Sequence, residues 1–213
     1  YKWGSQPIKK LLNDIDKFDL GGDDEKFYCL NNLTLVEHHE NQTIEYHVVD
    51  GQQRLTTITV ILACLKNLNI NGLPNFENKI EYKIRVISQD FIEKIINNQS
   101  IKINGNDISF HDLFKEDNNV SWSDFVKYNE DCDYQDIYYL FNAYKTVFQW
   151  LNEHKSSSDF FIKKFLNHVK LIVNNVPDIL DVNKLITMMQ SMGVEVNRLG
   201  LGSFSFQATD INE

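Results

Sequence analysis

Asp50, Gly51, Gln52, Gln53 and Arg54 stand in one row, DGQQR, between the apolar run IEYHVV and a long apolar segment that begins at Leu55. A turn between two buried elements needs only the Asp-Gly pair. The two glutamines and the arginine are surplus to it, and a helix follows where a hairpin would place a second strand. A strand, a tight glycine turn and a helix N-terminus together make an anion site. The first N–H groups of a helix lack carbonyl partners, and the helix dipole is positive there. Gly51 lets the backbone approach a ligand closely. Arg54 can fork onto a phosphate with two parallel hydrogen bonds. Gln52 and Gln53 can donate to phosphate oxygens or read a sugar or base. Asp50 can hold a metal ion, orient a water or simply cap the helix. Thr56 and Thr57 add hydroxyls in the first turn. On the residues alone, a capped helix with solvated glutamines stands as open as phosphate binding.

The elements around this row follow from periodicity. Ile8, Leu11, Leu12 and Ile15 recur at i, i+3, i+4 and i+7, one face of a short helix, with Ser5 as its cap and Pro7 in its first turn. DLGGDDEK breaks the chain. FYCLNNLTLVE (27–37) and IEYHVV (44–49) read as strands joined by the turn HHENQT, hence a hairpin. Residues 55–68 read as a helix that is apolar nearly all round, so it should be buried. A loop follows over 67–78. KIEYKIRVI (79–87) alternates like a strand, and SQDFIEKIINNQ (88–99) reads as a helix capped by Ser88. Residues 97–136 carry little pattern. From Asp107 to Asp136 there are nine acidic residues against Lys115 and Lys127, which reads as a solvated acidic insertion. Ile137, Leu140, Phe141, Tyr144, Phe148 and Leu151 define an amphipathic helix, and HKSSSD separates it from a second helix over 160–169. Internal repeats and low-complexity tracts are absent.

Composition narrows the function classes. The chain has 213 residues, enough for one large or two small domains, and 42% hydrophobic with 12% aromatic residues permits a packed core. A net charge of −9 argues against a broad basic surface for bare nucleic acid. Three widely spaced cysteines without a C-x-x-C pair argue against a disulfide framework or structural zinc. They read as buried thiols in a reducing compartment, the cytoplasm. Neither an eighteen-residue apolar run nor a signal peptide is present, so no membrane partner is expected. The start at Tyr1 in place of Met reads as a fragment. His38, His39 and His47 lack zinc-site spacing and read as surface residues of a turn. His111 with Asn118 and Asn119 does not complete a His-Asn-His nuclease pattern. The P-loop signature is missing. GLGSF (200–204) reads as a turn. Trp122, Trp150 and the tyrosines near Tyr138 read as core.

VVDGQQRLTTI resembles the signature of the N-terminal domain of GmrSD-type restriction endonucleases, phage-defence proteins. YKW with LLNDI resembles the family's opening, FYCLNNLTLVE its strand before the motif, YKTVFQWL (144–151) a later helix, and FLNHVKLIV (165–173) the strand after it. The resemblance covers about residues 1–175. It implies an α+β fold similar to ParB/sulfiredoxin proteins, a small sheet with helices followed by a mainly helical region. It also implies a nucleoside triphosphate that is bound and hydrolysed to license DNA cleavage by an HNH-type nuclease domain or partner, often on modified phage DNA. Carried over, Gly51, Gln52, Gln53, Arg54 and Thr56 bind the nucleotide, with Tyr1 and Trp3 beside them. Asp50, Gln53 and Arg54 are catalytic, and Asp50 holds Mg²⁺. A glutamine-arginine pair usually stands just upstream of the aromatics, and this sequence begins after it. The same motif also fits a regulatory nucleotide-binding module without turnover, or an inactive truncated fragment. The expected organisation is a nucleotide-binding core over 1–70, a mainly helical region with the acidic insertion over 71–175, and an atypical tail over 176–213.

That tail, NNVPDILDVNKLITMMQSMGVEVNRLG from Asn174, resembles an early repeat of UDP-N-acetylglucosamine enolpyruvyl transferase. Val176, Pro177, Asp181, Val182, Gly193, Val194 and Val196 fit a Val-Pro entry, a helix and a Gly-Val-x-Val strand. These are structural positions, so that enzyme's catalysis is not carried over. The preferred account is a fusion of a truncated defence gene to an unrelated fragment, which expects residues after about 175 to pack poorly on the rest. The alternative is the family's own divergent ending with a chance likeness.

Overall fold

The computed structural model describes residues 1–40, 43–68, 73, 80–82, 86–154, 158–176, 186–187, 190, 194–200 and 203–208. The fold is α+β, as expected. Its elements are α1 (Ser5–Lys17), β1 (Tyr28–Glu40), β2 (Thr43–Asp50), α2 (Gln52–Asn67), α3 (Val86–Ile96), β3 (Ser100–Ile103), β4 (Asn106–Ser109), α4 (Trp122–Tyr128), α5 (Gln135–Glu153), α6 (Ser158–His168), β5 (Val169–Val176), β6 (Val194–Gly200) and β7 (Ser203–Ala208). Two short 3-10 turns, His111–Phe114 and Glu130–Cys132, join them. The chain divides into two compact units, Tyr1–Tyr28 with Gln53–Val169, and Cys29–Gln52 with Lys170–Glu213.

The first unit is helical. α1 buries the four residues its spacing selects, Ile8, Leu11, Leu12 and Ile15. Ser5 is not its cap. The helix starts at Ser5 after Gly4, which makes no side-chain cap bond, and the Ser5 hydroxyl hydrogen-bonds that of Thr146 on α5. Trp150 of α5 donates its indole N–H to Asn13 of α1, so two polar ties fix the register of two apolar faces. α2 is sunk in the unit, with Val60, Ile61, Ala63, Cys64 and Leu65 fully buried. α5 buries all six residues expected of it, together with Ala143, Thr146, Val147 and Trp150.

Three expectations fail here for identifiable reasons. Among the described residues of 79–87 there is no strand: Ile80, Glu81 and Tyr82 are irregular, Val86 and Ile87 open α3, and residues 79 and 83–85 lie outside the described residues. The Tyr82 main-chain N–H is satisfied by the Gln89 side chain in place of a neighbouring strand. Ser88 does not cap α3; it is buried inside the helix and its hydroxyl bonds the Asp136 carboxylate. The stretch 97–136 is no featureless insertion. Asn104 and Gly105 both take positive φ, 50° and 80°, and close the hairpin β3–β4. Phe110, Leu113, Phe114 and Phe125 are buried. Phe110 meets the rings of Phe91, Phe114, Phe141 and Tyr144 at centroid distances of 5.5, 5.5, 6.4 and 5.1 Å. Seven of the nine acidic residues are exposed and Asp112 and Asp136 are half-buried, which is why composition alone reads the stretch as solvated. Trp150 is buried, as expected of a core residue, whereas Trp122 is half-buried against Phe125. Tyr134 and Tyr138 are exposed, so the core expectation fails for these tyrosines.

The second unit holds a three-stranded sheet in the order β2-β1-β5. β1 and β2 form the expected antiparallel hairpin, although β1 runs on through His38 and His39 to Glu40, so these histidines sit on a strand and not in a turn. In β1 the buried residues are Leu30, Leu33 and Val36, three apart and not two. Asn31 at φ 72° and the register shift at Thr34/Leu35 break the alternation. The helix expected over 160–169 ends at His168, and β5 follows it directly. β6 and β7 pair as a separate antiparallel hairpin, with Gly200 opposite Ser203, where a turn was expected. The three cysteines are free thiols, as expected, but only Cys64 is buried; Cys29 is exposed and Cys132 half-buried.

Candidate functional site

The DGQQR row sits where β2 passes into α2. Thr34 pairs with Asp50 and Leu35 with Val48, so Val49 is the extra residue of a bulge placed directly before the motif. A bulge re-aims the chain that leaves the strand. Gly51 then turns it at φ 90°. A Cβ there would lie 2.9 Å from Leu33 Cδ1 and 3.1 Å from the Asn32 carbonyl oxygen. The close approach that Gly51 permits in the structure is therefore to β1, and the residue is buried. α2 begins at Gln52, the next residue.

The boundary between the two compact units falls after Gln52. On the sheet side, Asp50 is exposed, and Gln52 turns its amide back onto its own strand, Nε2 donating to the Val48 carbonyl at 2.8 Å. On the helical side, Gln53 and Arg54 are half-buried and Thr56 is buried. The Gln53 side-chain carbonyl Oε1 accepts the main-chain N–H of Lys2 at 2.9 Å. The Thr57 hydroxyl donates to the Gln53 main-chain carbonyl at 2.8 Å, and the Tyr1 hydroxyl lies 2.9 Å from Thr57 Oγ1. Thr57 has spent its one proton on Gln53, so Tyr1 is the donor to Thr57. The Thr56 hydroxyl pairs with that of Tyr82.

These main-chain partners settle the orientation of both glutamine amides. A peptide N–H only donates and a peptide carbonyl only accepts, so neither amide can flip without losing its bond. The wholly unspent end is the NH₂ group in Gln53 and the carbonyl in Gln52. Burial pushes the Tyr1 hydroxyl well above the ordinary tyrosine range; the Thr57 bond opposes this and Tyr82 adds to it. Tyr1 is thus a neutral donor at physiological pH.

Of the residues singled out from sequence, the helical unit brings Tyr1 against Thr57, and Lys2 against Gln53. Trp3 is half-buried. Lys2 and Tyr82 are the participants that motif reading did not assign to the site. Lys2 acts through its backbone, which leaves no mark in a sequence. Among the described residues, no three His, Cys, Asp or Glu side chains gather in a manner that suits a metal ion. His38 and His47 have ring centroids 5.1 Å apart, while His39 pairs with Glu37 at 2.8 Å and His47 with Glu45 at 3.6 Å.

A family model described as the GmrSD restriction endonuclease, N-terminal domain, matches residues 1–200. The chain belongs to this family. The GmrSD match places it in a restriction-endonuclease system and runs past residue 175, where the resemblance read from sequence stops. The second likeness stands as well. A UDP-N-acetylglucosamine 1-carboxyvinyltransferase of Bacteroides fragilis is 51% identical over 43 residues, 20% of this chain and 10% of that enzyme. Its counterparts in Bacteroides thetaiotaomicron and Porphyromonas gingivalis are 49% identical over 43 residues and 45% identical over 47. The 1-carboxyvinyl group is the enolpyruvyl group, so these are the enzymes the tail resembles. The chain spans about a tenth of the length of these curated relatives. Among the described residues of this GmrSD-family chain, no helix is long and apolar enough to cross a membrane.

Proposed function

We propose that this chain is the nucleoside-triphosphate-binding and hydrolysing module of a modification-dependent restriction system, and that nucleotide turnover licenses DNA cleavage by an HNH-type nuclease domain or partner. The observation that carries the reading is the DGQQR row itself, set between a bulged strand and the first turn of α2 in a GmrSD-family chain. The Arg54 guanidinium and the N–H groups of the first helical turn suit phosphate oxygens. Magnesium accompanies nucleotides through one or two carboxylates and the phosphates themselves, not through a protein-only cage. The exposed carboxylate of Asp50 fits that donor set, and the ion would neutralise phosphate charge there. Asp50 and Gln53 would orient the water.

Phosphate release by the purified chain, by Arg54→Ala and by Asp50→Ala tests this. Turnover by the parent that falls by roughly a hundredfold or more in both variants is the expected result. Equal release from all three, above background, removes the assignment. The short likeness to 1-carboxyvinyltransferases spans too little of those enzymes to supply their chemistry, and no transfer of that group is proposed. A second reading, a nucleotide switch without turnover, is favoured by the way both glutamines are anchored to main chain, which suits holding a ligand. Saturable nucleotide binding with no phosphate release is its signature.

A further inference from the structure

The geometry points to a positioning role for Tyr1 and Lys2: they fix the Gln53 amide so that its Nε2 end, a hydrogen-bond donor, is the one left for the ligand, and the acceptor it is set for is a phosphate oxygen. This rests on the nucleotide reading above and adds a device that the motif does not contain.

Gln53 is gripped at both of its carbonyls. The side-chain carbonyl takes the Lys2 N–H at 2.9 Å, and the main-chain carbonyl takes the Thr57 hydroxyl at 2.8 Å. Thr57 is in turn the acceptor for the Tyr1 hydroxyl at 2.9 Å, in a buried contact. Two consecutive residues at the start of the chain therefore bind the same helical turn, one through a side chain and one through its backbone. A free glutamine amide presents donor and acceptor ends in either order and would tolerate phosphate, sugar or base. With Oε1 held by a main-chain N–H the amide cannot flip, and the end it presents away from Lys2 is the Nε2 group with its two protons. Phosphate oxygens are acceptors without donors, so they match this end and no other. Gln52 has the opposite commitment, Nε2 bonded to the Val48 carbonyl, and keeps an acceptor. The adjacent glutamines are thus not interchangeable, although the sequence writes them alike.

The test uses the full chain and inorganic tripolyphosphate, which has phosphate oxygens but neither sugar nor base, with a nucleoside triphosphate in parallel, both with magnesium and read by calorimetry. Lys2→Pro removes the N–H that orients Gln53, while Lys2→Ala keeps it and serves as the conservative control. Gln53→Glu retains an acceptor for Lys2 but replaces the donor end by a charged oxygen. Lys2→Pro should bind tripolyphosphate roughly threefold to tenfold more weakly than Lys2→Ala, because a freed amide is competent only part of the time. Gln53→Glu should lose roughly tenfold or more, with an unfolding midpoint close to that of the parent. A parent that binds the nucleoside triphosphate, with Lys2→Pro and Lys2→Ala equal on both ligands, overturns the positioning role alone. A parent that takes up neither ligand overturns the nucleotide reading and this inference together. Weakened nucleoside-triphosphate binding with unchanged tripolyphosphate binding assigns Gln53 to sugar or base and also overturns it.

Discussion

The Tyr1 hydroxyl donates to Thr57 Oγ1 across 2.9 Å, inside a buried contact between residues 56 positions apart in sequence. The bond ties the start of the chain to α2 one turn after the DGQQR row. Thr57 keeps its own bond to the Gln53 carbonyl when Tyr1 is altered. Tyr1→Phe should therefore destabilise the protein by about 1 kcal/mol, the net value of one hydrogen bond, with packing retained. Urea unfolding measures it; an unchanged midpoint would show that the tie adds nothing.

Gly51→Ala meets two obstacles. The backbone is at φ 90°, and the new Cβ would stand 2.9 Å from Leu33 Cδ1 and 3.1 Å from the Asn32 carbonyl oxygen. Strain of this kind and overpacking against a strand each amount to about 1–3 kcal/mol. A combined loss of about 3 kcal/mol is expected in denaturant unfolding, without added ligand. A loss under about 1 kcal/mol would mean that β1 yields and that the glycine serves another purpose.

Phe110 tests whether the acidic stretch is structural. Its ring is fully buried with four aromatic neighbours. Phe110→Ala should cost about 3–5 kcal/mol. A neutral result would return residues 97–136 to the status of a dispensable insertion.

His111 supplies a pH dependence. Its Nδ1 lies 2.9 Å from the Tyr144 hydroxyl, which also accepts the Asn67 amide at 3.0 Å. Burial holds the His111 pKa below its ordinary 6.5; Lys115 adds to this and Asp112 opposes it. The unfolded chain therefore binds the proton more readily than the folded one. The contribution is fully present above about pH 6.5 and is lost as the pH falls from there through the folded value. Unfolding free energies of the parent and of His111→Gln, measured from pH 8 to pH 5, should converge toward the acid end. Parallel curves would place the titration elsewhere.

The helices with strong periodicity were legible residue by residue: Ile8, Leu11, Leu12 and Ile15 on α1, and the six core positions of α5, follow from a 3.6-residue repeat that any buried face must satisfy. The motif, its place between strand and helix, and the family were legible too, because an uncommon row of side chains is a local feature. The β3–β4 hairpin was also written in the chain, as Asn104-Gly105 between alternating apolar residues, but the surrounding acids concealed it. Other features belong to contacts between distant segments. Ser88 looks like a cap until Asp136, 48 residues on, takes its hydroxyl. In the strand pattern before α3, the Tyr82 N–H goes to the Gln89 side chain. The opposite commitments of Gln52 and Gln53 depend on Val48 and on the backbone of Lys2. Local periodicity determines which face is buried; which polar atom is used up, and so which one remains for a ligand, depends on the partner that folding brings to it.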